Sequence, residues 1–120
     1  MRHASQWRMS FKRGRAPSMI QMRLLQTIAI PTPGPKIADF YENVYGYEVN
    51  RGTIYATLST MHERGWVTKW RDAERAHCKV YHLTKLGVSV LVEGVMKYAR
   101  VAEASRKSVR RAERFTGAAQ

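Results

Sequence analysis

Two short runs, Trp66-Val67-Thr68-Lys69-Trp70 and Lys79-Val80-Tyr81-His82-Leu83, constrain this chain more than any other feature. Both are rich in β-branched and aromatic residues, and a polar, charged segment separates them. They read as the two strands of a hairpin with a charged tip. Around them the pattern is helical, with three stretches before and one long stretch after.

The first helix is predicted to start near Ser18, an N-cap residue just after Pro17. Met19, Ile20, Met22, Leu24, Leu25, Ile28 and Ala29 give it a broad apolar face. The run Pro31-Thr32-Pro33-Gly34-Pro35 cannot continue that helix, because prolines lack the amide hydrogen and fix φ. Pro35 suits the first turn of a second helix, where a missing donor is tolerated. That helix runs to about Tyr45, with Ile37, Phe40, Tyr41 and Val44 on one side and Gly46 as its left-handed end. After the turn Tyr47-Glu48-Val49, Asn50 caps a third helix on which Ile54, Leu58 and Met61 recur at helical spacing, and Gly65 closes it. Thr84 caps the last helix. Its seam, Val88, Leu91, Val95, Tyr98, Ala102, Ser105 and Val109, has the 3-4 spacing of a helix that packs along another.

This order defines a mainly α fold with a small β-hairpin: a winged helix-turn-helix plus a long C-terminal dimerisation helix. The expected organisation is a basic flexible arm over 1–17, a DNA-binding domain over 18–83, the dimerisation helix over 84–114 and a tail over 115–120. The physical reason for the layout is groove geometry: a major groove about 12 Å wide accepts one helix while other elements brace the phosphates.

The third helix has the two faces this requires. With Ile54, Leu58 and Met61 inward, Gly52, Thr53, Tyr55, Ala56, Ser59 and Thr60 point away from the core. That outer face is small and hydroxylic, with Arg51 at its start. Arg51 suits a guanine edge or a phosphate, Thr53 and Ser59 bases or phosphates, and Tyr55 a phosphate. Asn50, Arg51, Gly52, Thr53, Tyr55 and Ser59 therefore form the expected recognition surface. In the wing, Lys69, Arg71, Arg75, His77 and Lys79 lie in or beside the loop, with Lys36 of the second helix as a further phosphate contact.

Charge supports the same partner and shows where it is gripped. The net charge of +12 suggests a polyanion, here double-stranded DNA. Residues 1–17 hold five basic groups and no acid, residues 18–65 are neutral, residues 66–83 carry +2 and residues 84–120 carry +5. Affinity should therefore come mainly from arm, wing and tail, and specificity from residues 51–59.

Other chemistries find little support. His77 beside Cys78, with His82 nearby, falls short of a metal site: strand alternation sends neighbours to opposite faces, and no fourth ligand stands at a usual zinc spacing. Cys78 has no His–acid pair beside it and reads as a strand residue. No carboxylate pair, nucleophile triad or phosphate-cradling glycine loop is evident, so no enzyme and no cofactor is expected. A single cysteine fits a reducing compartment. With no apolar run near the roughly 20 residues of a membrane span, the expected location is the cytoplasm, with no membrane contact.

The run Asn50-Arg51-Gly52-Thr53-Ile54-Tyr55, then Leu58, then Glu63-Arg64-Gly65-Trp66-Val67, resembles the recognition-helix signature of the PadR family of transcriptional regulators. The later run Val80-Tyr81-His82-Leu83-Thr84-Lys85-Leu86-Gly87 resembles that family's second wing strand passing into its last helix. The likeness spans roughly residues 20–92. It implies a winged-helix homodimer that represses transcription at a palindromic operator, often answering to a small aromatic or drug-like effector. Where the family commonly has proline after the tyrosine, this chain has Ala56. The Pro-rich joint at 31–35 is stiffer, and the arm longer, than the family pattern.

The leading reading is thus a sequence-specific DNA-binding regulator, dimeric through Val88, Leu91, Val95, Tyr98 and Ala102. Two other readings remain open on the sequence: an architectural, largely non-specific nucleic-acid binder that uses its basic arms, and an adaptor that uses the winged helix for protein contacts.

Overall fold

The computed structural model describes residues 16–46, 48–75 and 77–117. The expected arm, apart from Ala16 and Pro17, lies outside the described residues, as do Tyr47 and the last three residues of the expected tail.

Helix α1 (Met19–Thr27) starts in a capping box. The Ser18 Oγ accepts from the Gln21 amide at 3.3 Å, and the Gln21 Oε1 accepts from the Ser18 amide at 2.9 Å, so two donors of the first turn are satisfied reciprocally. Its buried side is narrower than the apolar composition predicts: Met22, Leu24, Leu25 and Ile28 are buried, whereas Met19 and Ala29 are exposed. The Pro-rich joint then does more than break a helix. Thr32, buried, donates from Oγ1 to the Ile30 carbonyl at 2.7 Å. With Pro33 it forms β1 (Thr32–Pro33), which pairs antiparallel with the second wing strand, Thr32 opposite Tyr81 and Pro33 opposite Val80. The expected hairpin is therefore the major part of a three-stranded sheet. Proline is tolerated there because β1 is an edge, where a missing amide donor interrupts no ladder.

Helix α2 (Gly34–Tyr45) carries Pro35 in its first turn and ends at Gly46, whose φ of 77° is left-handed. Its inward face differs from the predicted one. Ile37, Ala38 and Tyr41 are buried and Tyr45 is half-buried, while Phe40 and Val44 are exposed. The Tyr45 hydroxyl hydrogen-bonds the Gln26 side chain, which ties α2 to α1, and its ring lies 5.0 Å from that of Tyr41 one turn earlier on α2. Helix α3 (Arg51–Glu63) buries Ile54, Leu58 and Met61, as its spacing predicts.

Strands β2 (Val67–Arg71) and β3 (Lys79–Leu83) pair antiparallel, Val67 opposite Leu83 and Arg71 opposite Lys79, and the sheet order is β1-β3-β2. Trp66 stands one residue ahead of β2, buried in the core, with its amide on the Met61 carbonyl and its own carbonyl receiving the Thr84 amide. Helix α4 (Lys85–Thr116) is capped by Thr84, whose Oγ1 accepts from the Gly87 amide at 3.0 Å. It runs two residues past the predicted end at 114. Only its first turns pack on the head, where Gly87, Val90, Glu93 and Gly94 are buried; from Val101 to Thr116 all but half-buried Glu113 are exposed. At 1.5 Å per residue the helix is about 48 Å long, and it stretches the molecule to 60 × 37 × 20 Å.

Candidate nucleic-acid interface

Helix α3 sits on the core through one stripe and presents the other outward. Arg51, Gly52, Thr53, Tyr55, Ala56 and Ser59 are all exposed; Thr60 is half-buried, with its Oγ1 on the Ala56 carbonyl. The helix starts where Asn50 caps it. The Asn50 Oδ1 accepts from the Gly52 amide at 2.7 Å and the Thr53 amide at 3.3 Å. A Cβ on Gly52 would stand 2.9 Å from that oxygen, so glycine leaves the capping side chain room without a shift. Asn50 thus builds the end of the helix that a groove would receive.

Arg51 lies 3.9 Å from Asp39 of α2, with both side chains more than half exposed. An exposed pair at that distance contributes little to stability. It holds the guanidinium over the junction of the two helices at small cost, and a stronger anion can take its place. Lys36 is exposed on the first turn of α2.

The sheet places the wing's charge on a single side. Side chains alternate along a strand, and opposed residues share a face. Lys69 opposite Tyr81 and Arg71 opposite Lys79 therefore fall on the face that carries buried Val67 and Leu83 at its root. That face is directed at α2 and α3: the Tyr81 ring comes within 3.2 Å of where a Gly34 Cβ would be, and the Tyr55 hydroxyl within 3.5 Å. Like charges at cross-strand register are unfavourable by themselves, and an anion between them relieves the repulsion. The loop is tied within itself. The Asp72 Oδ1 accepts from the Glu74 amide at 2.9 Å, the Asp72 amide donates to the Cys78 carbonyl, and the Cys78 amide donates to the Arg75 carbonyl. Arg75 and His77 are exposed on it.

Cys78 precedes β3 instead of belonging to it, and it is buried. His82, by contrast, lies on the opposite face of β3 from Tyr81, with Nε2 3.2 Å from the Ala29 carbonyl. Among the described residues no three His, Cys, Asp or Glu side chains group as a metal site, and no helix is long and apolar enough to cross a membrane.

Of the seam on α4, Val88, Val95 and Ala102 are exposed. Leu91 instead packs against the chain's own core, and the Tyr98 hydroxyl donates to the Pro17 carbonyl at 3.0 Å. Sequence reasoning passed over Gly34 and Tyr81, which join the wing to α2. Their signal was present in the period of two that places Tyr81 beside Lys79.

The sequence profile of the transcriptional regulator PadR-like family matches residues 24–93. The chain belongs to the PadR-like family of transcriptional regulators. The matched stretch runs from the first buried leucine of α1 through the wing to Glu93, so it covers the DNA-binding winged helix-turn-helix and stops where α4 leaves the head. A PadR family transcription regulator from Clostridium difficile R20291 superposes with a TM-score of 0.68 at 17% identity, covering 77% of this chain and 99% of that one. The PcaV regulator of Streptomyces coelicolor, solved with its natural ligand, gives 0.63 at 18% identity over 87% of this chain and 77% of that one. RosR of H. salinarum gives 0.59 at 23% identity over 87% and 96%. At these identities the structures establish the shared fold. No curated protein matches the chain. The family is one of regulators, not enzymes.

Proposed function

We propose that this PadR-like regulator binds DNA sequence-specifically as a homodimer and represses transcription by occluding a promoter. The observation that carries the reading is the outer face of α3. It is small and hydroxylic, begins at Arg51, and stands beside the basic face of the wing. In that arrangement Arg51, Thr53, Tyr55 and Ser59 enter the major groove, with Asn50 and Gly52 shaping the entering end. Lys36, Lys69, Arg71, Arg75, His77 and Lys79 then hold phosphates on either side. The exposed Val88, Val95 and Ala102 mark the face of α4 that a second copy covers, so that two heads address half-sites about one helical turn apart. PcaV was solved with its natural ligand, and an effector that alters the spacing of the two heads belongs to the same proposal.

One observation favours a second, non-specific mode. Lys107, Arg110, Arg111 and Arg114 gather around one shallow depression near the far end of α4, with no acid lining it. The two modes separate experimentally. Duplexes are selected from a random pool with the full chain and footprinted over a range of salt. Arg51→Ala is expected to relax one base preference by about 1–3 kcal/mol. Uniform weakening across all sequences, with binding lost on removal of residues 1–17, would instead assign the chain to the architectural class.

A further inference from the structure

Between the first turn of α2, Tyr55 of α3 and the loop end of the wing lies a cleft of about 270 Å³. Gly34, Tyr55 and Tyr81 line it together with Arg75, His77 and Lys79. Its space depends on Gly34, since a Cβ there would press on the Tyr81 ring at 3.2 Å.

Tyr81 is the unusual member. The residue is only 9% exposed, its ring packed on Gly34, yet it lines the cleft with its hydroxyl near that of Tyr55. A tyrosine so placed buries its ring and offers its hydroxyl as the polar handle at the wet edge. Burial first, and then the neighbouring Tyr55 hydroxyl, push its ionisation above the ordinary tyrosine value, so it stays a donor near neutral pH. No carboxylate lines the cleft. A donor on a buried ring, a second tyrosine hydroxyl and two cations at one opening are the requirements of a tetrahedral oxyanion.

We propose that this cleft seats one backbone phosphodiester of the bound duplex, with the Tyr81 and Tyr55 hydroxyls donating to it and Arg75 and Lys79 neutralising it. The inference rests on the DNA-binding reading above and adds Tyr81, a strand residue, to the contacts. A duplex that holds α3 in its major groove and meets the wing at the next groove must pass one strand between them. The cleft lies in that passage. A free phosphate has the same chemistry, and the experiment separates the two sources.

The test uses the full chain, a duplex selected from a random pool by the wild-type protein, and a scan in which each phosphate in turn is replaced by an uncharged methylphosphonate. Tyr81→Phe keeps the ring against Gly34 and removes only the hydroxyl; an unchanged melting temperature shows that it folds. The variant is expected to bind about tenfold more weakly, the size of a lost hydrogen bond to a charged group. One methylphosphonate per half-site should weaken the wild type similarly and leave Tyr81→Phe no weaker still. Equal affinity of the variant and wild type, or losses that multiply at every position, overturns the seat while leaving DNA binding intact. A flat scan, together with tyrosine NMR shifts on inorganic phosphate that vanish in Tyr81→Phe, assigns the cleft to a free anion and overturns the duplex contact. Failure of the wild type to bind any selected duplex overturns the DNA reading itself.

Discussion

The carbonyl oxygen of Trp66 lies 2.0 Å from where a Cβ on Gly87 would stand. The first turn of α4 therefore rests directly on the backbone that leads into the wing, and Thr84 fixes the approach from both sides. Its amide donates to the Trp66 carbonyl and its Oγ1 to the Gly65 carbonyl. Here the helical glycine serves close approach, since its backbone is an ordinary helical one.

Gly87→Ala is accordingly expected to destabilise the head severely. A methyl group driven into a backbone carbonyl cannot be relieved by a rotamer change, so the cost lies at or above the usual overpacking range, about 3 kcal/mol. Chemical denaturation of wild type and variant measures it. Gly46→Ala is a useful contrast, because nothing lies within 4 Å of that position and only its left-handed φ opposes the change.

The same junction shows what was legible in the sequence. Caps are local, so Ser18, Asn50 and Thr84 could be read from residue type and spacing, and all three close as predicted. The inward face of α2 could not be read as well. Ile37, Ala38, Phe40, Tyr41, Val44 and Tyr45 are all apolar enough to serve, and only contact with α1 selects Tyr45 over Val44. Strand β1 has two residues, too few for any period, and proline fits a strand only at an edge, a position that pairing with β3 creates. Leu91 and Tyr98 fit the seam by spacing, yet the head and Pro17 engage them, which spacing on one helix cannot reveal.

Alkaline pH should unfold the head through its tyrosines. Burial raises the ionisation of Tyr41, with Arg23 opposing; burial and then Tyr41 raise that of Tyr45, again against Arg23; burial and then Tyr55 raise that of Tyr81. In each case the folded value lies above the unfolded one. Their stabilisation is complete below the unfolded value, about pH 10, and is lost as pH rises through the folded values. The urea midpoint, followed by circular dichroism from about pH 8 to about pH 11, should fall above about pH 10. Tyr41→Phe should make that fall shallower. A midpoint independent of pH over this range would contradict the linkage.

Self-association is expected to run through the exposed side of the α4 seam. Val88 and Val95 are each 49% exposed, and seven residues apart they lie on one side of the helix. Val95→Glu places a charge at the centre of that stripe without touching the core of the head. In sedimentation equilibrium the wild type should behave as a dimer and Val95→Glu as a monomer. The variant should also lose most of its affinity for a duplex with two half-sites while keeping weak binding to one. Wild-type behaviour as a monomer at all concentrations would remove α4 from the dimerisation role.

Glu93 gives the last prediction. It is 1% exposed, and among the described residues its Oε2 has no hydrogen-bond partner. The neighbouring Gly94 packs against Pro17 and Met22, so this turn of α4 is pressed onto α1 and the segment before it. A carboxylate oxygen held from water without a donor opposes folding, since a buried polar group left unsatisfied costs about 1–3 kcal/mol, and an apolar side chain of similar volume removes that cost. Glu93→Met should therefore raise the melting temperature, and Glu93→Gln should have a smaller effect, since it removes the charge but keeps a polar group. Thermal denaturation of the two variants at one protein concentration decides it. A lower melting temperature in Glu93→Met, accompanied by a loss of self-association relative to the wild type, would mean that a second copy supplies the missing donor and that this carboxylate belongs to an interface.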